Sequence, residues 1–221
     1  MPWTRVFLAP VTFLCLSLVP FCSVVRADDS TISLVTIGDS YLAGLGLKTE
    51  EKFAALIGRS LAESGVLATL VEGGYQATSA SGLSWISTTN LGKAILAQPQ
   101  HHAVILELGQ NDCGFGIPLA KTEANLDGIL SLLTQRGIPV LIVGTLAYDW
   151  CGADYATEFP KIFQRLASKY NQPLYPDFKD GIEGKTDLLR RDADHPNAAG
   201  EAIIVGRMLP ALIDLLKRVS E

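Results

Sequence analysis

The sequence predicts an α/β fold in which helices cover both faces of a five-stranded parallel sheet, forming a three-layer sandwich. Two observations predict this fold. Short apolar runs alternate along the chain with longer stretches whose apolar residues recur at helical spacing. One of these runs, AVILEL at 103–108, has the composition of a strand buried on both faces, as the strands of a parallel sheet are.

Each element follows from its own pattern. The predicted strands, rich in β-branched and other apolar residues, are 32–37, 66–72, 103–108, 138–146 and 173–178. The predicted helices lie between and after them, at 49–64, 83–97, 121–136, 156–170 and 198–219. Thr49 is the expected N-cap of the first helix, and Gly137 closes the third.

The first 27 residues have the pattern of a cleaved signal peptide. Arg5 precedes an apolar stretch at 6–25. Val25 and Ala27 place small residues at the −3 and −1 positions of a signal-peptidase site. The competing interpretation is a retained membrane anchor. It is disfavoured because prolines interrupt the apolar stretch and charged residues follow it directly. We therefore expect an exported protein, periplasmic or secreted, with a single domain at 28–221 and no stable membrane anchor.

The net charge and the number of cysteines limit which partners and which kinds of site the chain can have. Cleavage would remove two arginines and no acid, so the formal net charge would move from −5 to −7. An acidic chain is a poor match for nucleic acid or an anionic membrane. The mature chain keeps two cysteines, Cys113 and Cys151, which an oxidising compartment favours as a disulfide. Two cysteines are too few for a zinc site, and no metal is expected.

One histidine stands where a parallel sheet places its ligands. Polar clusters follow the predicted strands, and the carboxyl ends of parallel strands share one edge. His101 and His102 precede the third strand and belong to the opposite edge, whereas His195, in RDADHPNAAG at 191–200, follows the last strand. His195 is therefore the candidate base.

Two aspartates lie near His195. Residues three apart share one face of a helical turn, whereas neighbours diverge. We expect Asp192 to reach the imidazole and Asp194 to face solvent.

The candidate nucleophile is Ser40, which follows the first strand in Gly38-Asp-Ser40. No G-x-S-x-G motif occurs in the chain, which disfavours an ordinary α/β-hydrolase. Other serines remain alternatives in the loop and helix after the second strand: Ser79, Ser81, Ser84 and Ser87. Asn111, directly after the third strand, carries an amide N–H that suits a developing oxyanion, and backbone N–H groups after the second strand can add another donor.

With these residues in place, the sequence resembles the SGNH (GDSL-type) hydrolases of the thioesterase I/arylesterase/lysophospholipase type. IGDSYLAGLGL, LELGQND and DADHPNAAG resemble three family blocks in order. The resemblance implies Ser40 as nucleophile, Asn111 as oxyanion donor and an Asp192–His195 pair. It also implies the strand order 2-1-3-4-5, as in flavodoxin-like folds. The implied reaction is acyl transfer to Ser40 and release by water, with no cofactor or metal.

The second family block departs from the pattern. The family places a glycine there, whose N–H joins that of the nucleophile in the oxyanion hole. Here GGYQATSASG places Ala77 at that position, and Gly74 is the alternative under a shifted alignment. The expected oxyanion hole is formed by Ser40, Ala77 and Asn111, provided that the φ angle suits alanine.

The loops that carry the cysteines also carry apolar residues, namely Phe115, Ile117, Pro118, Tyr148 and Trp150. This set either receives an acyl or aryl group or simply covers the end of the sheet. The expected function is an exported, monomeric esterase or thioesterase for aryl esters, acyl thioesters or lysophospholipids. Two alternatives are a carbohydrate O-acetyl esterase on the same fold and a binding protein without turnover.

Overall fold

The centre of the structure, a computed structural model that describes residues 31–219, is one parallel sheet. Its five strands are β1 (Ile32–Gly38), β2 (Ala68–Tyr75), β3 (His102–Glu107), β4 (Val140–Val143) and β5 (Leu174–Tyr175). Their order across the sheet is β2-β1-β3-β4-β5. The predicted α/β class and strand order are confirmed. The predicted signal peptide, residues 1–27, lies outside the described residues.

Helices form the two outer layers of the sandwich. They are α1 (Phe53–Glu63), α2 (Ser79–Thr88), α3 (Asn90–Ala97), α4 (Leu119–Thr134), α5 (Ala153–Tyr170) and α6 (Ala198–Lys217). Helices α1 and α6 pack on one face of the sheet, and α2 to α5 pack on the other. Short 3₁₀ turns at Gln110–Cys113 and Asp149–Cys151 follow β3 and β4.

Alternate side chains along a strand point to opposite faces of the sheet and pack in different hydrophobic cores. In β1, Val35 and Ile37 face the core under α2 to α5, and Leu34 faces the core under α1 and α6. In β3, Leu106 faces the core under α2 to α5, and Ile105 faces the core under α1 and α6. Because helices cover both faces, the central strands β1, β3 and β4 are largely apolar, whereas the edge strand β2 keeps exposed polar residues, Thr69 and Glu72.

The predicted second helix, 83–97, is wrong as a single element. Thr89 interrupts it with an extended backbone (ψ 157°), and its hydroxyl accepts a hydrogen bond from the Gly92 N–H at 3.0 Å, capping α3. A Cβ at Gly92 would lie 2.5 Å from the Ile86 carbonyl oxygen, so only glycine lets α3 turn back this tightly onto α2. The apolar spacing continues through the break, which is why the pattern did not reveal it.

The start of the first helix also differs from the prediction. Thr49 lies in a separate 3₁₀ turn, Thr49–Glu51, and does not cap α1. Lys52 has an extended backbone (ψ 155°) between the turn and α1, so the helix begins at Phe53 without a side-chain cap. The last helix begins where predicted, because Asn197 Oδ1 accepts hydrogen bonds from the N–H groups of Ala199 and Gly200 at 3.0 and 3.1 Å.

One buried acid has no partner within residues 31–219. Glu201, in the first turn of α6, is fully buried, and neither carboxyl oxygen has a hydrogen-bond partner there. Burial raises its pKa to about 8. No helix in the described part of the chain is both long and apolar enough to cross a membrane.

Glu201→Gln should flatten the pH dependence of stability. Below the unfolded pKa of 4.5 both states bind the proton, and between 4.5 and about 8 only the folded state does, so wild-type stability falls as pH rises. Urea denaturation at pH 5 and pH 8 should show a wild-type loss exceeding that of the variant by roughly 2–4 kcal/mol. The exposed Glu63→Gln is the control, and equal losses in wild type and Glu201→Gln would contradict the assignment.

Candidate active site

Ser40 lies in a tight turn where β1 ends. The Tyr41 N–H donates to Asp39 Oδ1 at 3.0 Å, and the Leu45 N–H donates to the Ser40 carbonyl at 3.0 Å. A Cβ at Gly38 would lie 2.5 Å from the Leu42 side chain, so glycine allows the turn to fold back on the strand. The turn leaves Ser40 9% exposed, nearly buried but still open at one side.

Ser40, His195 and Asp192 form one chain of hydrogen bonds. Ser40 Oγ lies 2.8 Å from His195 Nε2, and His195 Nδ1 lies 3.1 Å from Asp192 Oδ2. With a proton on Nδ1 donated to Asp192, Nε2 is free to accept the serine proton. The arrangement can activate a hydroxyl for attack on an electrophilic carbon.

The loop that carries His195 is a short hairpin. The Arg190 N–H donates to the His195 carbonyl at 2.8 Å, and Leu189 bridges to Pro196. Asp192 Oδ1 accepts hydrogen bonds from the backbone N–H groups of Asp194 and His195 at 3.1 and 3.0 Å. Slight burial raises the Asp192 pKa, but these hydrogen bonds outweigh it and leave the pKa below its usual value. Asp192 therefore stays ionised and aimed at the ring.

The expectation that Asp194 faces solvent is wrong. Its carboxylate accepts hydrogen bonds from the hydroxyls of Tyr41 at 2.6 Å and Tyr148 at 3.0 Å, and from Lys179 Nζ at 3.0 Å. Neighbouring side chains do diverge, as expected, but the divergence directs Asp194 inward and leaves Asp192 the more exposed of the two. The side chains are 22% and 43% exposed, respectively.

Asn111 lies beside the Ser40 turn. Its Nδ2 donates to Asp39 Oδ2 at 2.9 Å. An amide nitrogen carries two hydrogens, so this bond fixes the amide plane and leaves the second N–H free of any partner within residues 31–219. Asp39 thereby orients the predicted oxyanion donor.

Asp39 is itself paired with a second buried acid. The Asp39 N–H lies 3.4 Å from Glu107 Oε2, and both side chains are buried. Burial raises the Asp39 pKa to about 6, although the Tyr41 N–H opposes the shift. Burial and the nearby Asp39 charge raise the pKa of Glu107 well above its usual value. The proton of the pair is therefore favoured on Glu107, and Asp39 is the carboxylate that holds Asn111.

The turn that carries Asn111 is held by a buried carboxylate. Asp112 accepts hydrogen bonds from the Ser79 N–H at 2.9 Å, the Thr122 hydroxyl at 2.8 Å and the Ser79 hydroxyl. These bonds join the turn after β3 to α2 and α4. They also occupy Ser79, one of the alternative nucleophiles, which is fully buried.

The other serines considered as nucleophiles do not contact His195, and the other two histidines lie away from the site. The Ser81 hydroxyl takes part in the cap of α2 with Thr78, and Ser87 Oγ donates to the Leu83 carbonyl at 2.7 Å. Ser84 lies within the exposed surface of α2. His101 and His102 lie at the opposite edge of the sheet, at the start of β3.

Ala77 lies in the loop after β2, next to a residue that is hydrogen-bonded to the end of β1. The N–H of Gln76 donates to the Gly38 carbonyl at 2.9 Å, which places the following residue, Ala77, beside the end of β1. Its φ is not in the left-handed region. Gly74 has φ 78° within β2 and borders a separate cavity that Ser40 does not line. Within residues 31–219, the N–H groups of Ser40 and Ala77 donate no hydrogen bond.

Cys113 and Cys151 form a disulfide, with Cα atoms 5.9 Å apart. It joins the turn after β3 to the turn after β4. Beside it, Tyr148 and Trp150 stack with ring centroids 5.1 Å apart, and Phe115 and Trp150 are each 66% exposed. The disulfide therefore lies beneath an open aromatic surface.

The four predicted pocket residues do not share one cavity. Ile117 lines a cavity of about 340 Å³ with Pro118 and Asn125. Tyr148 lines another, of about 350 Å³, whose wall includes Asp194 and Lys179. No group of three or more candidate metal ligands occurs within residues 31–219.

The sequence interpretation missed several residues that hold the site. Asp39 lies in the Gly38-Asp-Ser40 motif and Glu107 is an acid inside an apolar strand, but neither pattern indicates which side chain the acid contacts. Tyr41 and Lys179 carried no signal, since their contacts with Asp194 span 153 and 15 residues of chain.

Comparison with known proteins identifies relatives of this chain. Residues 36–203 match the model of the GDSL-like Lipase/Acylhydrolase family. The chain is 29% identical over 185 residues to Esterase TesA of Pseudomonas aeruginosa, covering 83% of this chain and 89% of that protein. It is 31% identical over 185 residues to Arylesterase of Vibrio mimicus, covering 82% and 88%. It is 28% identical over 222 residues to Thioesterase 1/protease 1/lysophospholipase L1 of Escherichia coli K12, covering both chains fully.

Solved structures agree with these relatives. The crystal structure of TesA has a TM-score of 0.74 at 29% identity, covering 83% of this chain and 99% of that one. AlinE4, described as a SGNH-hydrolase family esterase, has a TM-score of 0.63 at 34% identity, covering 84% and 97%.

Removal of the disulfide should lower stability without unfolding the sheet. The cysteines are separated by 38 residues, and the chain-entropy model gives about 3–4 kcal/mol for a loop of that length. The double variant Cys113→Ser, Cys151→Ser should lose about that free energy of unfolding in urea. A reductant should shift the wild-type midpoint and leave that of the double variant unchanged. A wild-type midpoint insensitive to reductant would contradict the bridge.

Proposed function

Since the chain belongs to the GDSL-like lipase/acylhydrolase family and hydrolyses acyl esters, we propose that it does so through an acyl-enzyme intermediate on Ser40. The observation that carries the proposal is the hydrogen-bonded chain from Ser40 Oγ through His195 to Asp192, with distances of 2.8 and 3.1 Å. A binding protein has no need of such a chain, because it serves proton transfer to and from a hydroxyl.

In the first half of the reaction, His195 Nε2 accepts the Ser40 proton while Ser40 Oγ attacks the acyl carbon. The protonated imidazole is stabilised by Asp192 and then donates its proton to the departing alcohol or thiol. The carbon–oxygen or carbon–sulfur bond of the substrate breaks as the acyl group remains on Ser40. In the second half, water loses a proton to His195 and attacks the ester, and Ser40 regains its proton as the acid leaves.

Negative charge develops on the carbonyl oxygen in both halves. The proposed donors are the backbone N–H groups of Ser40 and Ala77 and the second amide N–H of Asn111. Their freedom from partners within residues 31–219 supports this role, and so does the Asp39 bond that fixes the amide of Asn111. Donors already oriented before reaction stabilise the oxyanion without reorganisation.

The substrates proposed for the enzyme are esters and thioesters with varied acyl groups, including aryl esters and lysophospholipids. The names of the relatives support these classes. The exposed rings of Phe115 and Trp150 also support them, because an open apolar surface accepts acyl groups of several lengths. The proposed location is periplasmic or extracellular. It is supported by the leader-like residues 1–27 and by the Cys113–Cys151 disulfide, which persists in oxidising compartments.

Ser40→Ala should abolish turnover of nitrophenyl esters from acetate to palmitate, with a fall in kcat of at least about 10³-fold. Ser84→Ala, an exposed serine on α2, is the matched control and should match wild type. Activity retained by Ser40→Ala would reject the acyl-Ser40 mechanism. In the wild-type series, activity confined to acetate would favour the O-acetyl esterase alternative over an esterase of varied acyl groups.

Asn111→Ala should lower kcat by about 10²–10³-fold and change KM little, because an oxyanion donor acts mainly in the transition state. Asn90→Ala removes an exposed asparagine at the start of α3 and should leave both constants unchanged. A selective rise in KM for Asn111→Ala would instead assign this side chain to ground-state binding.

A further inference from the structure

Asp194 gathers three donors from three different parts of the active-site edge. Tyr41 comes from the turn after β1, Tyr148 from the loop after β4, and Lys179 from the segment after β5. The carboxylate is partly buried, and its burial acts to raise its pKa. The hydrogen bonds from Tyr41 and Lys179 outweigh this and leave the pKa below its usual value, so Asp194 is a carboxylate at neutral pH.

The hydrogen bond from Tyr41 to Asp194 joins the same two chain segments as the Ser40–His195 hydrogen bond. Tyr41 directly follows Ser40, and Asp194 directly precedes His195. The two bonds therefore tie the same two chain segments together at adjacent residues, with donor–acceptor distances of 2.6 and 2.8 Å. A shift of the histidine loop that lengthens one bond must strain the other.

Tyr41 is a rigid anchor for this second bond. Its side chain is 1% exposed, and its ring stacks on Phe178 with centroids 5.0 Å apart and planes 4° apart. Its ring also lies edge-on to the His195 ring at 5.5 Å, and Lys179 Nζ lies 5.1 Å from its centroid. The motif that gives the family its name ends in leucine, which has no hydroxyl; this chain has tyrosine at that position.

The hairpin is attached to the nucleophile turn by Asp194 and by Arg190, whose Nη1 donates to the Leu45 carbonyl. Asp192, on the other side of the hairpin, is the more exposed carboxylate, and Ala193 between the two has a left-handed backbone with φ 59°. The hydrogen bonds that Asp192 makes are all within the hairpin. They shape the loop and orient the ring, but they do not attach the loop to the sheet.

We propose that Asp194 is a positioning residue that sets the Ser40–His195 distance through its hydrogen bond with Tyr41. The proposal rests on the acyl-Ser40 mechanism. It assigns to Asp194 a role separate from that of Asp192: Asp192 orients the imidazole, and Asp194 holds the loop that carries the imidazole against the nucleophile turn. A loss of this bond should reduce proton transfer and leave substrate binding intact.

The direct test is Tyr41→Phe, which removes the hydroxyl and keeps the ring that packs on Phe178 and His195. For nitrophenyl butyrate, kcat should fall about tenfold with KM within about twofold of wild type. The matched control is Tyr175→Phe, which removes another hydroxyl bonded to an aspartate, Asp180 at 2.8 Å, on β5. The control should keep wild-type kcat even if both variants lose similar stability on heating.

A second readout separates positioning from general loosening. Diethyl nitrophenyl phosphate phosphorylates the activated serine and releases nitrophenol, and its inactivation rate should fall by the same factor as kcat in Tyr41→Phe. Asp194→Ala should also lower kcat, and the double variant Tyr41→Phe, Asp194→Ala should be no slower than the slower single variant, because each substitution removes the same hydrogen bond. Additive losses would show that Tyr41 and Asp194 act independently and would overturn the proposal.

If Tyr41→Phe yields no folded protein, Asp194→Ala supplies the same test by removing the acceptor of the Tyr41 hydroxyl. It should lower kcat about tenfold with KM unchanged, and wild-type kcat would overturn the proposal. Ser40→Ala distinguishes failure of the Asp194 role from failure of the acyl-Ser40 mechanism. An inactive Ser40→Ala with a fully active Tyr41→Phe would reject the Asp194 role alone, whereas an active Ser40→Ala would reject the mechanism on which it rests.

Discussion

The hydrogen bond between Ser40 Oγ and His195 Nε2 is the constraint that the rest of the site serves. It is 2.8 Å long and joins residues 155 positions apart. A serine hydroxyl gains nucleophilicity only while a base accepts its proton, so a small drift of either loop removes the chemistry. The parallel sheet brings the two loops to one edge, but loop ends on a sheet are not by themselves held to a fraction of an ångström.

Buried carboxylates provide the missing restraint. Asp39 holds the amide of Asn111, Asp112 holds the turn that carries it, and Asp194 holds the histidine loop. Each has lost contact with water through burial, and each accepts hydrogen bonds from two or more donors in its place. The low polarity around these groups strengthens the hydrogen bonds that they accept.

Much of the fold was predictable because its determinants are local. The apolar runs predicted five parallel strands, and helical spacing predicted the layers that cover them; both are confirmed. The errors were also local in origin. The break at Thr89 lies inside an unbroken apolar pattern, and it depends on the contact between Gly92 and the end of α2. The start of α1 depends on the extended backbone of Lys52, which its sequence does not announce.

By itself, the sequence determined the fold class, the edge at which polar loops gather and the candidates Ser40, Asn111, Asp192 and His195. These follow from periodicity and from spacings of a few residues. Only the tertiary structure decided that Asp194 points inward to Tyr41 and that Asp39 is buried beside Glu107. It also decided that Ile117 and Tyr148 line different cavities. The physical reason is range: the contacts of Asp194 with Tyr41 and of Asp39 with Glu107 span 153 and 68 residues, and no local pattern encodes which distant side chains meet.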